Sequence, residues 1–329
     1  MKCINKRFVR VCSLLLVCSL CTISGTGCGE NRLEDAFEAD LPGIGIQTSE
    51  ESSKIPYFAS DLCVTDTDVQ DIEADTEDAL AACFFNLNEK KVLYAKNIHE
   101  RMYPASTTKI MTALVALDKG DLDAQTTVSK EAITFSESGV STAKMKEGDV
   151  LTLRQLLYAL LTVSANDAAN VIAEQIAGSQ DAFVEMMNQE AQKIGATNTH
   201  FVNANGLHSE DHYTTVYDLY LMFNAAMQHE EFLQMLQEKE YQASYQAADG
   251  TTVEAVWSTT NQFTKGDVTV PDGVTAVGGK PGPTTAAMSC LVQLFEDAQG
   301  EQYVAIILGC KERGILYQEM QTFLSNLNN

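Results

Sequence analysis

Charge changes character twice along this 329-residue chain, and that segregation limits where a core can form. Residues 1–28 carry four basic side chains (Lys2, Lys6, Arg7, Arg10) and no acidic one. Residues 29–78 carry 15 acidic and 2 basic side chains, and residues 79–329 carry 30 and 16. In the first segment a basic head precedes a short apolar run at residues 11–23 and a small-residue stretch at 24–28. That is the layout of a secretory signal peptide, too short for a comfortable membrane span. A buried core helix would not carry four flanking positive charges. The second segment is rich in Ser, Thr and Asp and shows neither helical nor strand periodicity. Such a stretch cannot bury enough apolar surface to offset its ordering entropy. It is expected to be a flexible acidic linker, with apolar patches such as Ile55-Pro56-Tyr57-Phe58 able to dock on a domain. Only residues 79–329 have the length and patterning for one sizeable core. The net charge of −23 repels phosphate backbones, so nucleic acid is not expected as a partner.

Five of the nine cysteines lie in the leader: Cys3, Cys12, Cys18, Cys21 and Cys28. Cys28 follows small residues at the end of the apolar run, as the lipidated cysteine of bacterial lipoproteins does. Gly25 stands where that box usually has a large aliphatic residue. Lipidation of Cys28 and ordinary signal cleavage both remain open. The other four, Cys63, Cys83, Cys290 and Cys310, have no CxxC or Cys/His spacing, so no metal site is expected. Buried thiols are the ordinary reading for those in apolar runs, and a disulfide among them is a second possibility in an exported protein.

Within 79–329, residues 81–87 and 91–95 read as a strand pair across Asn88-Glu89-Lys90. A helix follows Pro104, runs through the apolar stretch 110–117 and stops at Gly120. Thr152 and Gln155 form a capping box for a helix over 153–162. Asn166 or Asp167, Ser179 and Thr215 can cap three more. Residues 286–295 and 302–310 return to strand character. Early strands, a helical middle and late strands imply an α/β sandwich whose sheet joins both ends of the domain, with a helical lobe inserted.

Ser106-x-x-Lys109 places a hydroxyl and an amine on one face of a helix start, where free N–H groups favour a developing anion. A buried lysine beside the hydroxyl can lose its proton and act as base. Alone, this spacing is a common chance match to an N-capping serine and a solvated lysine. Ser164-Ala165-Asn166 alone is ordinary capping, and Gly279-Lys280-Pro281-Gly282 alone is a turn. In this order the three approximate the S-x-x-K, S-D-N and K-T-G set of penicillin-binding proteins and class A β-lactamases.

The run from Pro104 through Ser106 and Lys109 to Leu114, and Ser164-Ala165-Asn166-Asp167-Ala168-Ala169-Asn170, resemble the serine-type D-Ala-D-Ala carboxypeptidases, the low-molecular-mass penicillin-binding proteins. Asn97-Ile98-His99-Glu100-Arg101, Lys146-Glu147-Gly148, Asn205-Gly206-Leu207 and His212-Tyr213-Thr214-Thr215 match as well. The resemblance covers about residues 80–315. It implies a penicillin-binding/β-lactamase-like α/β fold, with an antiparallel sheet flanked by helices and an inserted all-helical lobe. It implies that Ser106 attacks the penultimate D-Ala carbonyl of a peptidoglycan stem peptide and that Lys109 takes its proton. Ser164 would relay a proton to the leaving D-Ala, and Asn166 would hydrogen-bond the substrate amide. Lys280 would face the terminal carboxylate, with Gly282 and Thr284 also at the substrate. No cofactor is implied, β-lactams would acylate Ser106, and the protein would work at the bacterial cell surface.

The third motif departs from that family. Pro281 replaces the hydroxyl residue that contacts substrate. Pro283 stands where an oxyanion-hole N–H is normally donated, and proline has none. Residues 281 and 283 put their nitrogens on the same side of a strand, and an edge tolerates proline there. The fold is therefore expected to survive while catalysis weakens, unless a local bulge lets Thr284 donate. A catalytically weakened peptidoglycan- or β-lactam-binding homologue is the alternative reading. A class A β-lactamase is the third, with Glu185 as the nearest candidate for activating water, although Glu185 falls in a helical pattern. Many relatives continue into a further β domain and a C-terminal amphipathic anchor, which the residues after 315 do not suggest. The N-terminal end is expected to supply any membrane attachment.

Overall fold

The computed structural model describes residues 59–327. The leader, Cys28 and the first part of the acidic segment lie outside the described residues. The main sheet has six strands in the order β1-β3-β2-β10-β9-β8, every neighbouring pair antiparallel. They are β1 (Val69–Gln70), β2 (Ala81–Asn86), β3 (Lys91–Lys96), β8 (Thr275–Thr284), β9 (Met288–Glu296) and β10 (Gln302–Cys310). Early and late strands meet at the centre, where β2 pairs with β10 from Ala81↔Leu308 to Asn86↔Tyr303.

These central strands read as unbroken apolar runs because both faces are covered. Ala81, Cys83 and Phe85 of β2 face one core together with Val304, Ile306 and Leu308 of β10. Ala82 and Phe84 face the other, with Tyr303, Ala305 and Ile307. The second core is closed by α8 (Arg313–Leu324), whose Phe323 stacks on Phe84 at 5.2 Å between centroids. The first is closed by α1 (Lys109–Lys119), which ends at Gly120 as expected, and by α5 (Val216–Ala226).

The inserted lobe holds α2 (Leu153–Leu161), α3 (Asn166–Ala177) and α4 (Gln180–Lys193). Thr152 and Gln155 make the reciprocal capping box, and Ser179 and Thr215 cap α4 and α5. At α3 the N-cap is Ala165, and neither Asn166 nor Asp167 caps; both side chains are engaged elsewhere. The lobe is not all-helical. It carries a second sheet, β4 (Gln125–Thr127), β5 (Val150–Thr152), β6 (Glu240–Gln246) and β7 (Thr252–Ser258), joined in chain order. Tyr241 of β6 stacks on Tyr158 of α2 at 3.8 Å, which seats the small sheet on the helices. Two short helices, α6 (Glu230–Gln237) and α7 (Gln262–Lys265), connect the lobe to the main sheet.

The acidic linker expected over 29–78 is too long at its C-terminal end. Cys63 is fully buried, its N–H donates to Tyr220 Oη at 2.9 Å, and Tyr217 Oη donates back to its carbonyl at 3.1 Å. Val69–Gln70 then pairs with β3, and Thr76 bonds Tyr94. Acidic composition concealed these contacts because one cysteine and a few backbone groups make them, leaving no periodic signal. Cys63, Cys83, Cys290 and Cys310 are all buried free thiols.

If residues 59–71 belong to the domain, deleting them leaves Tyr220 unpaired and uncovers part of the first core. The expected loss is about 2–4 kcal/mol of unfolding free energy, read as a lower urea midpoint. An unchanged midpoint would restore the linker reading.

Candidate active site

Ser106 sits in a 3-10 turn, Ala105–Thr108, that leads directly into α1. Thr107 Oγ1 donates to Pro104 O at 2.7 Å and Thr108 Oγ1 donates to Ala105 O at 2.8 Å, holding the turn tight. Ala105 has φ of +48°, a strained value for a residue with a Cβ, immediately before the nucleophile. Gly206 is pressed against that turn. A Cβ there would lie 2.0 Å from Ala105 O, and φ is +85° as well, so only glycine fits.

His212 secures the same turn from behind. Its Nδ1 accepts the Val202 N–H at 3.1 Å, so the proton is on Nε2, which donates to Thr108 Oγ1 at 2.8 Å. Burial, then the nearby His200 and Lys109, push His212 down to about 3, so it stays neutral.

Lys109 is fully buried. Its Nζ is 3.0 Å from Ser106 Oγ and 2.8 Å from Asn166 Oδ1, and it donates to Asn205 O. Burial first, then the positive charge of Lys280, hold this amine well below its usual range, while Asp167 pulls the other way. A neutral amine has two N–H groups and one lone pair. Asn166 Oδ1 and Asn205 O can only accept, so they take the two N–H groups. The lone pair is left facing the Ser106 hydroxyl, which is the disposition of a general base.

Ser164 adopts φ of +59° between α2 and α3. Lys280 Nζ donates to Ser164 Oγ at 3.0 Å and to Pro281 O at 2.7 Å. Lys280 is also fully buried, and burial followed by Arg313 pushes it down to about 7. It stands behind Ser164 rather than in the open cleft, where the resemblance had it facing a carboxylate. The cation that lines the cleft is Arg313, at the start of α8 and bonded to Thr260 O. The cleft encloses about 350 Å³ between Ser106, Ser164 and Asn166 on one side and Pro281, Pro283 and Thr284 on the other. A wider groove of about 730 Å³ lies beside Thr275 at the far end of β8 and contains none of these groups.

Gly282 makes the near wall possible. A Cβ there would lie 2.6 Å from Ser106 N and 2.8 Å from Thr107 N. β8 is the edge of the sheet, and its pairing with β9 runs unbroken through Pro281↔Leu291, Pro283↔Ser289 and Thr284↔Met288. Both prolines thus face the free edge, as expected. The bulge that could have turned Thr284 inward is absent; the register shift in β8 lies at Ala276/Gly278. Thr284 lines the cleft, and its Oγ1 accepts the Ala287 N–H.

A family model described as D-alanyl-D-alanine carboxypeptidase matches residues 68–312. The chain belongs to that family. It is 34% identical to the D-alanyl-D-alanine carboxypeptidase DacB2 of Mycobacterium tuberculosis over 73% of this chain and 78% of that one. It is 38% identical to DacF of Bacillus subtilis, but there the match spans 46% of this chain and 40% of the relative. The Streptomyces K15 DD-transpeptidase structure superposes with a TM-score of 0.71 at 28% identity, covering 77% of this chain and 98% of that one. The penicillin-binding fold expected from the motifs is the fold observed.

In this carboxypeptidase family member the structure gathers Ser106, Lys109, Ser164, Asn166, Lys280, Gly282 and Thr284 around one cleft. Glu185 does not join them: it is exposed on α4 and bonded by Gln189. Sequence reasoning missed Arg313, the Asn205 carbonyl and the role of His212. No spacing rule points to a residue just beyond the last strand or to a backbone oxygen. His212 was visible only as part of a matching stretch.

His212→Phe strands the Val202 N–H and removes the donor that steadies Thr108 Oγ1, so penicillin acylation of Ser106 should slow by about tenfold or more. The wild-type histidine binds a proton when unfolded but not when folded between about pH 6.5 and 3. Its contribution therefore makes stability fall as pH drops through that window, and the variant's urea midpoint should depend less steeply on pH there. An unaltered acylation rate in a folded variant would show that the turn holds itself.

Proposed function

We propose that this protein is a serine-type D-Ala-D-Ala carboxypeptidase that removes the terminal D-Ala from peptidoglycan stem peptides through an acyl-enzyme on Ser106. The observation that carries this reading is the neutral Lys109, with its lone pair directed at Ser106 Oγ 3.0 Å away. Ser106 Oγ attacks the penultimate D-Ala carbonyl and passes its proton to Lys109 Nζ. Asn166 gives its oxygen to Lys109, leaving its amide N–H groups to hold the substrate's peptide oxygen. Ser164, bonded to Lys280, relays the proton taken up by Lys109 to the departing D-Ala nitrogen, which leaves Lys109 neutral again. Arg313 supplies the positive charge in the cleft for the terminal carboxylate, with Lys280 behind Ser164 adding to the field. Water then hydrolyses the ester and regenerates Ser106. β-Lactams, carrying an equivalent carboxylate and a strained amide, would stop at the acyl-enzyme.

The oxyanion hole is the weak part of this site. The N–H of Ser106 lies in the first turn of a helical segment, where N–H groups lack intrahelical partners. The strand edge opposite presents Pro283. Loss of one such donor typically costs about 10²–10³ in kcat. The enzyme is therefore read as a slow carboxypeptidase.

Wild type should release D-Ala from a D-Ala-D-Ala peptide and take a fluorescent penicillin covalently, and Ser106→Ala should do neither. Pro283→Thr should raise kcat by up to about 10²–10³, with a stability change within about 1 kcal/mol because the sheet does not use that nitrogen. A wild type that already turns over at the variant's rate would mean the hole is complete without residue 283.

The substrate class places the domain outside the cytoplasm. Among the described residues no helix is long and apolar enough to cross a membrane. We infer that residues 1–28 direct export and that lipidated Cys28 tethers the protein, with residues 29–58 as a spacer. The basic head, the apolar run and the small-residue stretch before Cys28 support this. Wild type should then partition with membranes, and Cys28→Ala should release it or block processing. Recovery of all wild-type protein in the culture medium would leave ordinary secretion as the answer.

A further inference from the structure

Position 293 breaks the pattern of the second core. Along β9, Leu291, Gln293 and Phe295 share one face of the sheet, and Leu291 and Phe295 belong to the core that α8 closes. Gln293 lies between them and is fully buried. Its Oε1 accepts a hydrogen bond from Asn261 Nδ2 at 2.7 Å, and its Nε2 donates to Leu294 O at 3.0 Å. Asn261 is fully buried as well, and its Oδ1 accepts the Phe263 N–H at 3.0 Å. The opposite strand makes room for this pair: Gly279 stands across from Gln293, and a Cβ on Gly279 would lie 2.5 Å from Gln293 Oε1. Two carboxamides in an apolar core add little net stability, because desolvation offsets most of what their hydrogen bonds supply. An apolar side chain at 293 would fill the same space, but it would give Asn261 Nδ2 no partner.

Asn261 belongs to a strap, residues 259–262, at the Arg313 end of the cleft. The Thr259 N–H donates to Lys239 O at 2.8 Å and the Thr260 N–H donates to Thr162 O at 3.0 Å, which tie the strap to the lobe. The Gln262 N–H donates to Tyr317 Oη at 3.0 Å, which ties it to α8. The Asn261 side chain is its tie to the main sheet. Between these ties Thr260 presents its carbonyl to Arg313 Nη2. Arg313 is exposed at the first position of α8, and among the described residues no carboxylate pairs with it within 4.0 Å. A long exposed side chain has many rotamers to lose, and the bond to Thr260 O selects the one that lines the cleft. It uses one guanidinium N–H and leaves others for an anion.

We propose that Asn261 and Gln293 are a positioning pair for substrate recognition: they fix the Thr260 carbonyl, and through it the Arg313 guanidinium, where the terminal carboxylate of the peptide binds. The inference rests on the catalytic reading, in which Arg313 receives that carboxylate. It adds that the preference for a free C-terminus is set from inside the second core, by two buried carboxamides out of the substrate's reach.

The test measures kcat/KM for hydrolysis of two D-Ala-D-Ala peptides, one ending in a free carboxylate and the other in a carboxamide. Wild type should favour the free acid by about tenfold or more, the worth of one charge-assisted hydrogen bond, and Arg313→Met should bring the ratio close to one. Gln293→Leu should lower the ratio by about threefold or more, through a higher KM for the acid. Gln293→Glu should restore it, because a protonated carboxyl keeps an acceptor for Asn261 Nδ2 and a donor for Leu294 O. Each ratio comes from one enzyme preparation, so partial misfolding of a variant cancels. A merely structural role would lower both rates together and leave the Gln293→Leu ratio at the wild-type value, which overturns the proposal. Gln293→Glu behaving like Gln293→Leu overturns it too. A wild type without preference for the free acid, or a preference that survives Arg313→Met, would instead overturn the carboxylate role of Arg313, and the positioning role with it. Hydrolysis of neither peptide by wild type would overturn the catalytic reading itself.

Discussion

The site depends on two lysines that are buried, among the described residues, without a carboxylate partner. Taking an ammonium out of water costs several kcal/mol unless it is paired, so the group gives up its proton instead. For Lys280, a drop from 10.5 to about 7 corresponds to roughly 5 kcal/mol. The unfolded chain holds a proton at this position between about pH 7 and 10.5 that the folded chain does not. Stability therefore rises with pH across that window. The domain accepts this cost because the same burial makes Lys109 a base. Lys280 also lowers the affinity of Lys109 for a proton, and Arg313 lowers that of Lys280, so removing the charge of Lys280 would disturb Lys109. Asp167 opposes the trend only partly: its own carboxyl is raised by burial, and it is occupied with the Ala143, Met145 and Ala168 N–H groups that hold the cleft wall.

Strain collects around this pair. Ala105 and Ser164, one beside the nucleophile and the other at the second motif, are both non-glycine residues with positive φ. Such conformations cost about 1–3 kcal/mol each and persist only when their surroundings over-determine them. For Ala105 the surroundings are Gly206 and Gly282, each packed so closely on the Ser106 turn that a single methyl group would collide with its backbone, and Ser164 is held by Lys280. The hydrogen-bond chain from Val202 through His212 and Thr108 to Ala105 completes the clamp. The Asn205-Gly206-Leu207 loop thus has two tasks, fixing the turn through Gly206 and fixing Lys109 through the Asn205 carbonyl.

The parts of this arrangement that were legible in the sequence are those with a local signature. Capping residues marked α2, α4 and α5, and unbroken apolar runs marked β2 and β10. The spacing of Ser106, Lys109, Ser164, Asn166 and Lys280 marked the cleft. What escaped was made by single contacts between distant segments. In the four-stranded sheet of the lobe Gln125–Thr127 and Val150–Thr152 are too short for a period, whereas Tyr241, Ala243 and Tyr245 and Val253, Ala255 and Trp257 do alternate and mark two strands that the helical pattern around them overshadows. Residues 59–78 look like a solvated acidic run because their attachment rests on Cys63 and a two-residue strand. Lys280 was placed at the substrate by its motif. Its actual position behind Ser164, with Arg313 in the open, depends on how α8 begins after β10, which no motif encodes.

The prolines of the third motif show why a fold can keep its shape while its chemistry changes. An edge strand has two rows of backbone nitrogens. One row is committed to its neighbour, and the other faces whatever lies beyond the sheet. In β8 the committed row pairs with β9 through Thr284, and the row carrying Pro281 and Pro283 faces Ser106. Proline in the first row would have broken the ladder. In the second it removes only what the substrate would have used, and its fixed φ restricts the unfolded chain. Stability and catalysis thus draw on different atoms of the same four residues. Gly282, between the two prolines, cannot change in the same way, because its missing side chain is what lets β8 approach the nucleophile at all.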